Sequence, residues 1–271
     1  MALLRHARPD LRRRSSLRLG PSWWFLSLPL LGFLTLPLLA LLLRNAPVEV
    51  VSNLGKPAVY EAVWLSLKTS LLATGLTVLL GTPLAVLLAR RDFPLRRAVD
   101  TLIDLPMVLP PAVAGVALLM AFGRRGLLGS LLYDFGVQIP FTQVAVIMAQ
   151  TFVAAPLYVR AAIIGIAGID EELEDAALID GASTGQVLRY VTLPLTRPAL
   201  LGGAVLTWAR ALGEFGATII FAGNLPGRTQ TMPLAIYLGF ELDLGVALTL
   251  SALLMGTSFL VLVLVRYVLM G

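Results

Sequence analysis

The chain has 271 residues, of which 58% are hydrophobic and 14% charged, with a formal net charge of +5 and a mean hydropathy of +0.86. A soluble domain of this length does not carry so little polar surface, so the chain is an integral membrane protein. The absence of cysteine excludes disulfides, thiolate metal sites and cysteine nucleophiles together.

Residues 1–22 form a basic tail, with six arginines between Arg5 and Arg18. The tail reads as a positively charged cytoplasmic flank rather than an arm for nucleic acid or acidic lipid. Residues 23–271 form one transmembrane domain. Within it, apolar runs long enough to cross about 30 Å of hydrocarbon lie at Trp23–Leu43, Ala62–Ala89, Leu105–Phe122, Gln143–Ile166, Pro198–Phe221 and Val246–Val268. This predicts an all-α, multi-pass fold of six transmembrane helices. The first run exceeds the apolar core of about 7–15 residues that a cleavable signal carries, so the chain is expected to be kept whole.

Basic residues flanking short loops resist export. With both termini cytoplasmic, fourteen Lys and Arg residues fall inside, among them Arg90, Arg91, Arg96, Arg97, Arg160, Arg189 and Arg197. Six, including Lys56, Lys68, Arg124 and Arg228, fall outside, and Arg210 is taken as the basic residue within a span.

Catalytic equipment is sparse. His6 is the only histidine, which excludes His-pair metal sites and Ser/His/Asp triads. The only Gly-Lys pair, Gly55-Lys56, is followed by Pro57 and lacks the upstream glycine of a phosphate loop. The carboxylates Asp170, Glu171, Glu172, Glu174, Asp175 and Asp180 gather where a helix begins, a place that favours acids by its dipole alone.

That acidic stretch opens a polar loop, about residues 168–194, expected on the cytoplasmic side. Asp170 is a good N-cap, the run to Asp180 is helical in character, and Gly181 supplies a stop. A second short helix is predicted over Thr184–Thr192, with Val187, Tyr190 and Val191 on one face and an end near Leu193 imposed by Pro194. Ala176 and Ala177 allow close approach of a partner, and Gly181 allows a reversal that a Cβ would obstruct. On these grounds a docking knob and an amphipathic loop lying on the membrane are both open.

The fifth run ends in Arg210-Ala-Leu-Gly-Glu214-Phe-Gly-Ala-Thr218. Ionised residues at membrane depth usually face a partner or a hydrated path. Arg210 and Glu214 are one turn apart, so a mutual pair and a gate or pathway role are both open, while Gly213 and Gly216 suit close helix crossing. Beyond it, the turn signals from Gly223 to Pro233 mark an external loop, continued by a short interfacial helix through Tyr237 to Phe240.

The polar loop resembles the signature of ATP-binding-cassette (ABC) importer permeases: an acidic residue, Ala-Ala, three residues, Gly, nine residues, an aliphatic residue, one residue, then Leu-Pro. Here these are Asp175, Ala176, Ala177, Gly181, Val191, Leu193 and Pro194, with Glu174 beside an aspartate where the family usually has glutamate. The resemblance runs from about Ala62 to the C-terminus. It implies the small (type I) permease fold and a coupling helix that docks on a separate ATPase subunit. It also implies two such ATPase copies, which use ATP and Mg, and no cofactor or catalytic role in this chain.

The words GEFGAT, GNLPGRTQT, PLAIY and LPMVLPPAVAG are similar to the molybdate or tungstate branch, which is close to the sulfate and thiosulfate permeases. That branch implies a homodimer in the cell membrane, an extracytoplasmic binding protein and a tetrahedral dianion as cargo. It leaves Arg210, Glu214 and Thr218 as candidates for the path or gate. The rival reading is an ion-driven secondary transporter, for which the spans offer few ionisable groups.

Overall fold

The computed structural model describes residues 21–44 and 47–270, so the basic tail to residue 20 lies outside the described residues. Helix α1 (Pro21–Arg44) is a unit by itself. Its apolar stretch Trp23–Arg44 has a mean hydropathy of 2.3 and the length to cross a bilayer, with Pro29 and Pro37 inside it.

The second unit begins with α2 (Pro47–Leu54) and the 34-residue α3 (Pro57–Arg90). Next come α4 (Arg96–Val108), α5 (Pro111–Phe122), α6 (Gly129–Asp134) and α7 (Gln143–Ala167). The polar loop holds α8 (Glu171–Ile179) and α9 (Thr184–Val187), which leads through a π-helical turn, Leu188–Thr192, into α10 (Leu193–Leu212). The unit closes with α11 (Gly216–Ala222), α12 (Met232–Leu242) and α13 (Leu244–Met270).

The trunk is α3, α7 and α10. Lys68 Nζ donates to Gln143 Oε1 at 3.0 Å and the hydroxyls of Thr82 and Tyr158 meet at 2.6 Å, so α3 and α7 run parallel. Thr207 Oγ1 donates to the Ala154 carbonyl at 3.4 Å, while Gly203 lies against Ala161 nearer the other end, so α10 runs antiparallel to α7. Small residues make this approach possible: Ala145, Ala149, Ala154 and Ala162 of α7 are fully buried. Hydroxyls that would otherwise be stranded bond back to carbonyls one turn earlier, as Thr69 does to Leu65 and Thr77 to Ala73, both at 2.8 Å.

Among the described residues, four helices (α1, α3, α7 and α13) are long and apolar enough to cross a membrane, or up to six spans if each of two bent pairs counts as one. The bent pairs fall in the predicted third and fifth spans, which are therefore not straight. Helices α4 and α5 meet at 119° and the α10 segment meets α11 at 60°. At the first break Leu109 is extended (ψ 134°) ahead of Pro110 and Pro111, because a residue before proline is excluded from the helical region. The two prolines also carry no N–H that could be left unsatisfied there.

The breaks pack on each other. A Cβ on Gly216, the first residue of α11, would stand 2.6 Å from the Pro111 Cβ at the start of α5. One on Gly115 would stand 2.7 Å from the Ile220 Cβ and 2.8 Å from the Ala217 carbonyl oxygen. Around this contact Ala114, Leu118, Val146, Val153 and Phe221 form a continuous core. Gly213, by contrast, only ends α10, and a Cβ there would meet nothing closer than 3.7 Å, so the packing role expected of both glycines belongs to Gly216.

At the end opposite the polar loop, Lys56 Nζ bonds Asp243 Oδ2 at 2.8 Å, and Asp243 Oδ1 accepts the Val246 N–H at 3.2 Å at the start of α13. The Lys56 ammonium first, and then the Val246 N–H, hold the Asp243 carboxyl below its ordinary range. A lowered folded-state pKa contributes stability above the unfolded value, and that contribution disappears as pH falls through the folded one.

Two predictions follow from this packing. Gly115→Ala should lower stability by about 1–3 kcal/mol through overpacking, whereas Gly75→Ala, with open space at its Cβ, should not. Thermal unfolding in detergent checks this, and equal midpoints for the two variants would refute the tight α5–α11 contact. Asp243→Asn should lower the midpoint at neutral pH, with the difference from wild type closing as pH drops below the carboxylate range; a pH-independent difference would contradict the Lys56 link.

Candidate functional site

The polar loop folds as its sequence dictates at its start. Asp170 caps α8, its Oδ1 accepting the Glu172 N–H at 3.2 Å. Gly181 ends it with φ +92°, and the Gly181 and Ala182 N–H groups return to the Leu178 and Ala177 carbonyls at 3.0 Å. The space around a Gly181 Cβ is open, so it is the left-handed backbone of the reversal itself that a Cβ would obstruct. Ser183 and Gln186 then form a reciprocal capping box for α9.

The predicted stop at Pro194 does not occur. The helix continues through the π-turn into α10, with Pro194 in its first turn. Proline clashes with the carbonyl four residues earlier, and the wider π-turn directly ahead of it removes that register. The same widening separates the predicted face: Val187 is buried, Val191 half-buried, and Tyr190 66% exposed.

Helix α8 buries no residue of its own. Asp175, Ala176, Leu178 and Ile179 are exposed, Ile179 at 86%, while Ala177 is half-buried. Val191, Leu193 and Pro194 are half-buried beneath the loop. Glu174 points the other way: Arg90 Nη2 and Thr192 Oγ1 both donate to its Oε1, at 3.0 and 2.6 Å, so the acid expected to reinforce Asp175 is not on the exposed face. Among the described residues no three His, Asp or Glu side chains gather as metal ligands.

A second electrostatic link lies one helix away. Arg160 of α7 binds Asp104 through Nε and Nη2, both at 2.6 Å, and Asp100 through Nη1 at 2.9 Å. It ties α4 to the trunk close to the first break. Lys68 and Arg160 both sit inside predicted spans, so Arg210 is not alone there, a correction that the run of apolar neighbours around each had concealed.

At the second break the ion pair forms. Arg210 Nη1 donates to Glu214 Oε2 at 2.7 Å, and Glu214 Oε1 accepts the Ala217 N–H at 2.8 Å. The Glu214 side chain is 1% exposed and that of Arg210 35%. One carboxylate therefore holds the last turn of α10 and the first turn of α11 together, with its charge favoured at that N-terminus. Thr218 is fully buried and its hydroxyl has no partner among the described residues.

The segment after α11 is ordered by turns and partly buried. Gly223 and Gly227 take positive φ, the Leu225 carbonyl accepts N–H bonds from Arg228, Thr229 and Gln230, and Thr229, Thr231 and Met232 are buried. Ser66 Oγ of α3 accepts the Met232 N–H at 2.6 Å, pinning the start of α12 to the trunk. Ser66, Arg90, Asp100, Asp104, Arg160 and Thr192 were not singled out from sequence. The available signal was weak: Arg90 at the last turn of a long helix, and Thr192 between two signature positions.

Residues 81–271 match the family described as binding-protein-dependent transport system inner membrane component, and the chain belongs to that family. It is thus the membrane component of a transport system and not an enzyme. It is 44% identical over 245 residues, covering 89% of this chain and 92% of the relative, to the molybdenum transport system permease protein ModB of Mycobacterium tuberculosis. It is also 37% identical over 239 residues, 85% of this chain and 83% of the relative, to a probable sulfate transport system permease protein cysT of Chlorokybus atmophyticus. Among solved structures, a bacterial alginate ABC transporter matches with a TM-score of 0.66 at 20% identity, covering 90% of this chain and 92% of that one. The inward-facing MetNI methionine ABC transporter matches at 0.59 and 23% identity, covering 78% and 95%. These structures show the small ABC-importer permease fold.

The geometry at the second break predicts that Glu214→Ala, which leaves the buried Ala217 N–H and Arg210 without their acceptor, destabilises by about 1–3 kcal/mol. Glu214→Gln, which keeps an acceptor for Ala217, should lose less. Thermal unfolding of the two variants decides it; an equal loss would assign the effect to charge alone.

Proposed function

We propose that the chain is the transmembrane subunit of an ATP-driven importer that carries a tetrahedral oxyanion, molybdate or tungstate, from an extracytoplasmic binding protein into the cytoplasm. The observation that supports the cargo is the 44% identity to a molybdenum permease along 89% of the chain. Sulfate or thiosulfate is the second reading, favoured by the likeness to a sulfate permease over 85% of the chain.

The partners in this reading are a second copy of the chain, two ATPase subunits using ATP and Mg, and the binding protein. Both termini lie in the cytoplasm. The orientation is supported by Arg90, Glu174 and Thr192 gathering at one end of the trunk and Lys56 and Asp243 at the other, the two sides that the basic-residue asymmetry separates.

Asp175, Ala176, Ala177 and Gly181, with Val191, Leu193 and Pro194 beneath them, form the surface that meets the ATPase. An exposed helix with small residues and a large apolar residue at Ile179 suits a groove. Closure of the ATPase pair on ATP moves the two knobs and exchanges outward for inward access. ATP acts here through its different affinity for the two states. Arg210, Glu214 and Thr218 stand at the bend of the fifth span and form the gate or path: the guanidinium is partly accessible, and its pairing with Glu214 keeps the net field on a passing dianion small.

The test is ATPase activity in proteoliposomes holding the chain, its ATPase subunit and its binding protein, with molybdate, tungstate and sulfate added separately. Stimulation by molybdate and tungstate alone is expected. Stimulation by sulfate alone would establish the second reading, and none by any of the three, with the complex assembled, would remove the oxyanion assignment.

A further inference from the structure

The exposed helix α8 has no core. It buries no residue fully, and its apolar contact is slight, with Ala177 half-buried and Leu178, 45% exposed, at the edge of the cleft against α3. Its side-chain links to other elements, among the described residues, converge on two groups. Arg90, in the last turn of α3, reaches Glu174 at 3.0 Å and Glu171 at 3.8 Å. Thr192, the last residue of the π-turn, donates to the same Glu174 oxygen at 2.6 Å.

The environment makes this more than a surface ion pair. The Arg90 and Glu174 side chains are 19% and 16% exposed, whereas Glu171 is 83% exposed, so the Glu171 contact is screened and weak and the Glu174 contact is not. The pair sits in a cleft of ≈ 560 Å³ lined by Pro83 and Leu87 of α3 and by Val187 and Leu188 of the loop. Both charges also suit the helices that carry them, a cation at the C-terminus of α3 and an anion near the N-terminus of α8. Thr192 is itself 3% exposed, and its neighbour Leu193 begins α10. One carboxylate therefore joins three elements: the knob, α3 and the start of α10.

We propose that Glu174 is a positioning residue: through Arg90 and Thr192 it locks the coupling helix to α3, so that movement of the knob is delivered to α3 as to a lever. This inference rests on the importer reading above. Asp175, next in sequence, is exposed at the edge of the same cleft, while Glu174 carries the bonds to Arg90 and Thr192, so the two adjacent acids divide the work, one for the partner and one for the permease's own helix. Helix α3 can carry the displacement, because its 34 residues extend about 50 Å. At its far half Ser70 Oγ accepts from Trp208 Nε1 of α10 at 3.0 Å and Ser66 pins α12. The π-turn contributes by placing the Thr192 hydroxyl toward Glu174, where it also lies 3.5 Å from the Val187 carbonyl.

The test uses the complete complex in proteoliposomes, with molybdate as the probe, and the permease alone in nanodiscs. In Glu174→Gln the ATPase subunit should still copurify and hydrolyse ATP, while molybdate moved per ATP falls about fivefold or more. The double variant Arg90→Glu with Glu174→Arg should recover part of that loss, which a merely space-filling role would not allow. In nanodiscs, hydrogen exchange over residues 171–179 should quicken in Glu174→Gln and return in the charge swap, with α7 unchanged. Thr192→Val, which keeps shape and removes the donor, gives the same readouts should Glu174→Gln fail to insert. Wild-type transport with an unchanged ratio and unchanged exchange in Glu174→Gln would overturn the clasp alone; a wild-type complex that moves no oxyanion overturns the importer reading, and the lever with it.

Discussion

In hydrocarbon a backbone N–H or C=O has no water to fall back on, so wherever a helix stops, something in the protein has to complete its hydrogen bonding. This chain stops helices inside two of its apolar runs and completes them by different means. After Val108 two prolines remove the donors themselves. After Leu212 the Glu214 carboxylate supplies the Ala217 N–H with an acceptor at 2.8 Å while Arg210 balances its charge. Because Gly216 lies against Pro111, the two solutions occupy one place in the fold, and the direction of α5 and α11 is settled there.

From that junction outward the protein divides its polar chemistry by depth. Along the trunk, hydroxyls such as Thr69 and Thr77 bond back to their own helix, while Thr82, Thr207 and Ser70 make single bonds to a neighbouring helix. Toward the polar loop, charged links take over: Arg160 holds α4 to α7 and Arg90 holds α8 to α3. Such links add to sparse apolar contact, that of Ile103 on the trunk for α4 and of Leu178 at the cleft for α8. The opposite end uses Lys56 with Asp243 and the Ser66 hydroxyl with the Met232 N–H for the same purpose. The trunk is thus held mainly by packing, with both of its ends tied by polar contacts.

Much of the fold was legible in the residues. Apolar length marked every long helix, Asp170 and Gly181 marked both ends of α8, and the signature from Asp175 to Pro194 placed the family. The illegible parts share one cause, that local rules report what a residue prefers and not what its neighbours in space supply. Pro194 signals a stop, yet a π-turn lets the helix pass. Glu174 and Asp175 look equivalent in sequence, yet one is turned inward by an arginine 84 positions away. The stretch from Gly223 to Pro233 has the composition of a surface loop, yet Thr229 and Thr231 are buried, in a segment folded on its own turns and met by α3 at Gly227 and Met232.

Sequence by itself determined the solvent this protein lives in and the family, because hydropathy and motif spacing are properties of the chain read along its length. Tertiary structure decided that two of the apolar runs bend, that Glu214 joins two half-helices, and that Glu174 serves α3 and not the exposed face. Those outcomes depend on which groups meet across long stretches of chain, where a single unsatisfied N–H or an unpaired buried charge outweighs any local preference.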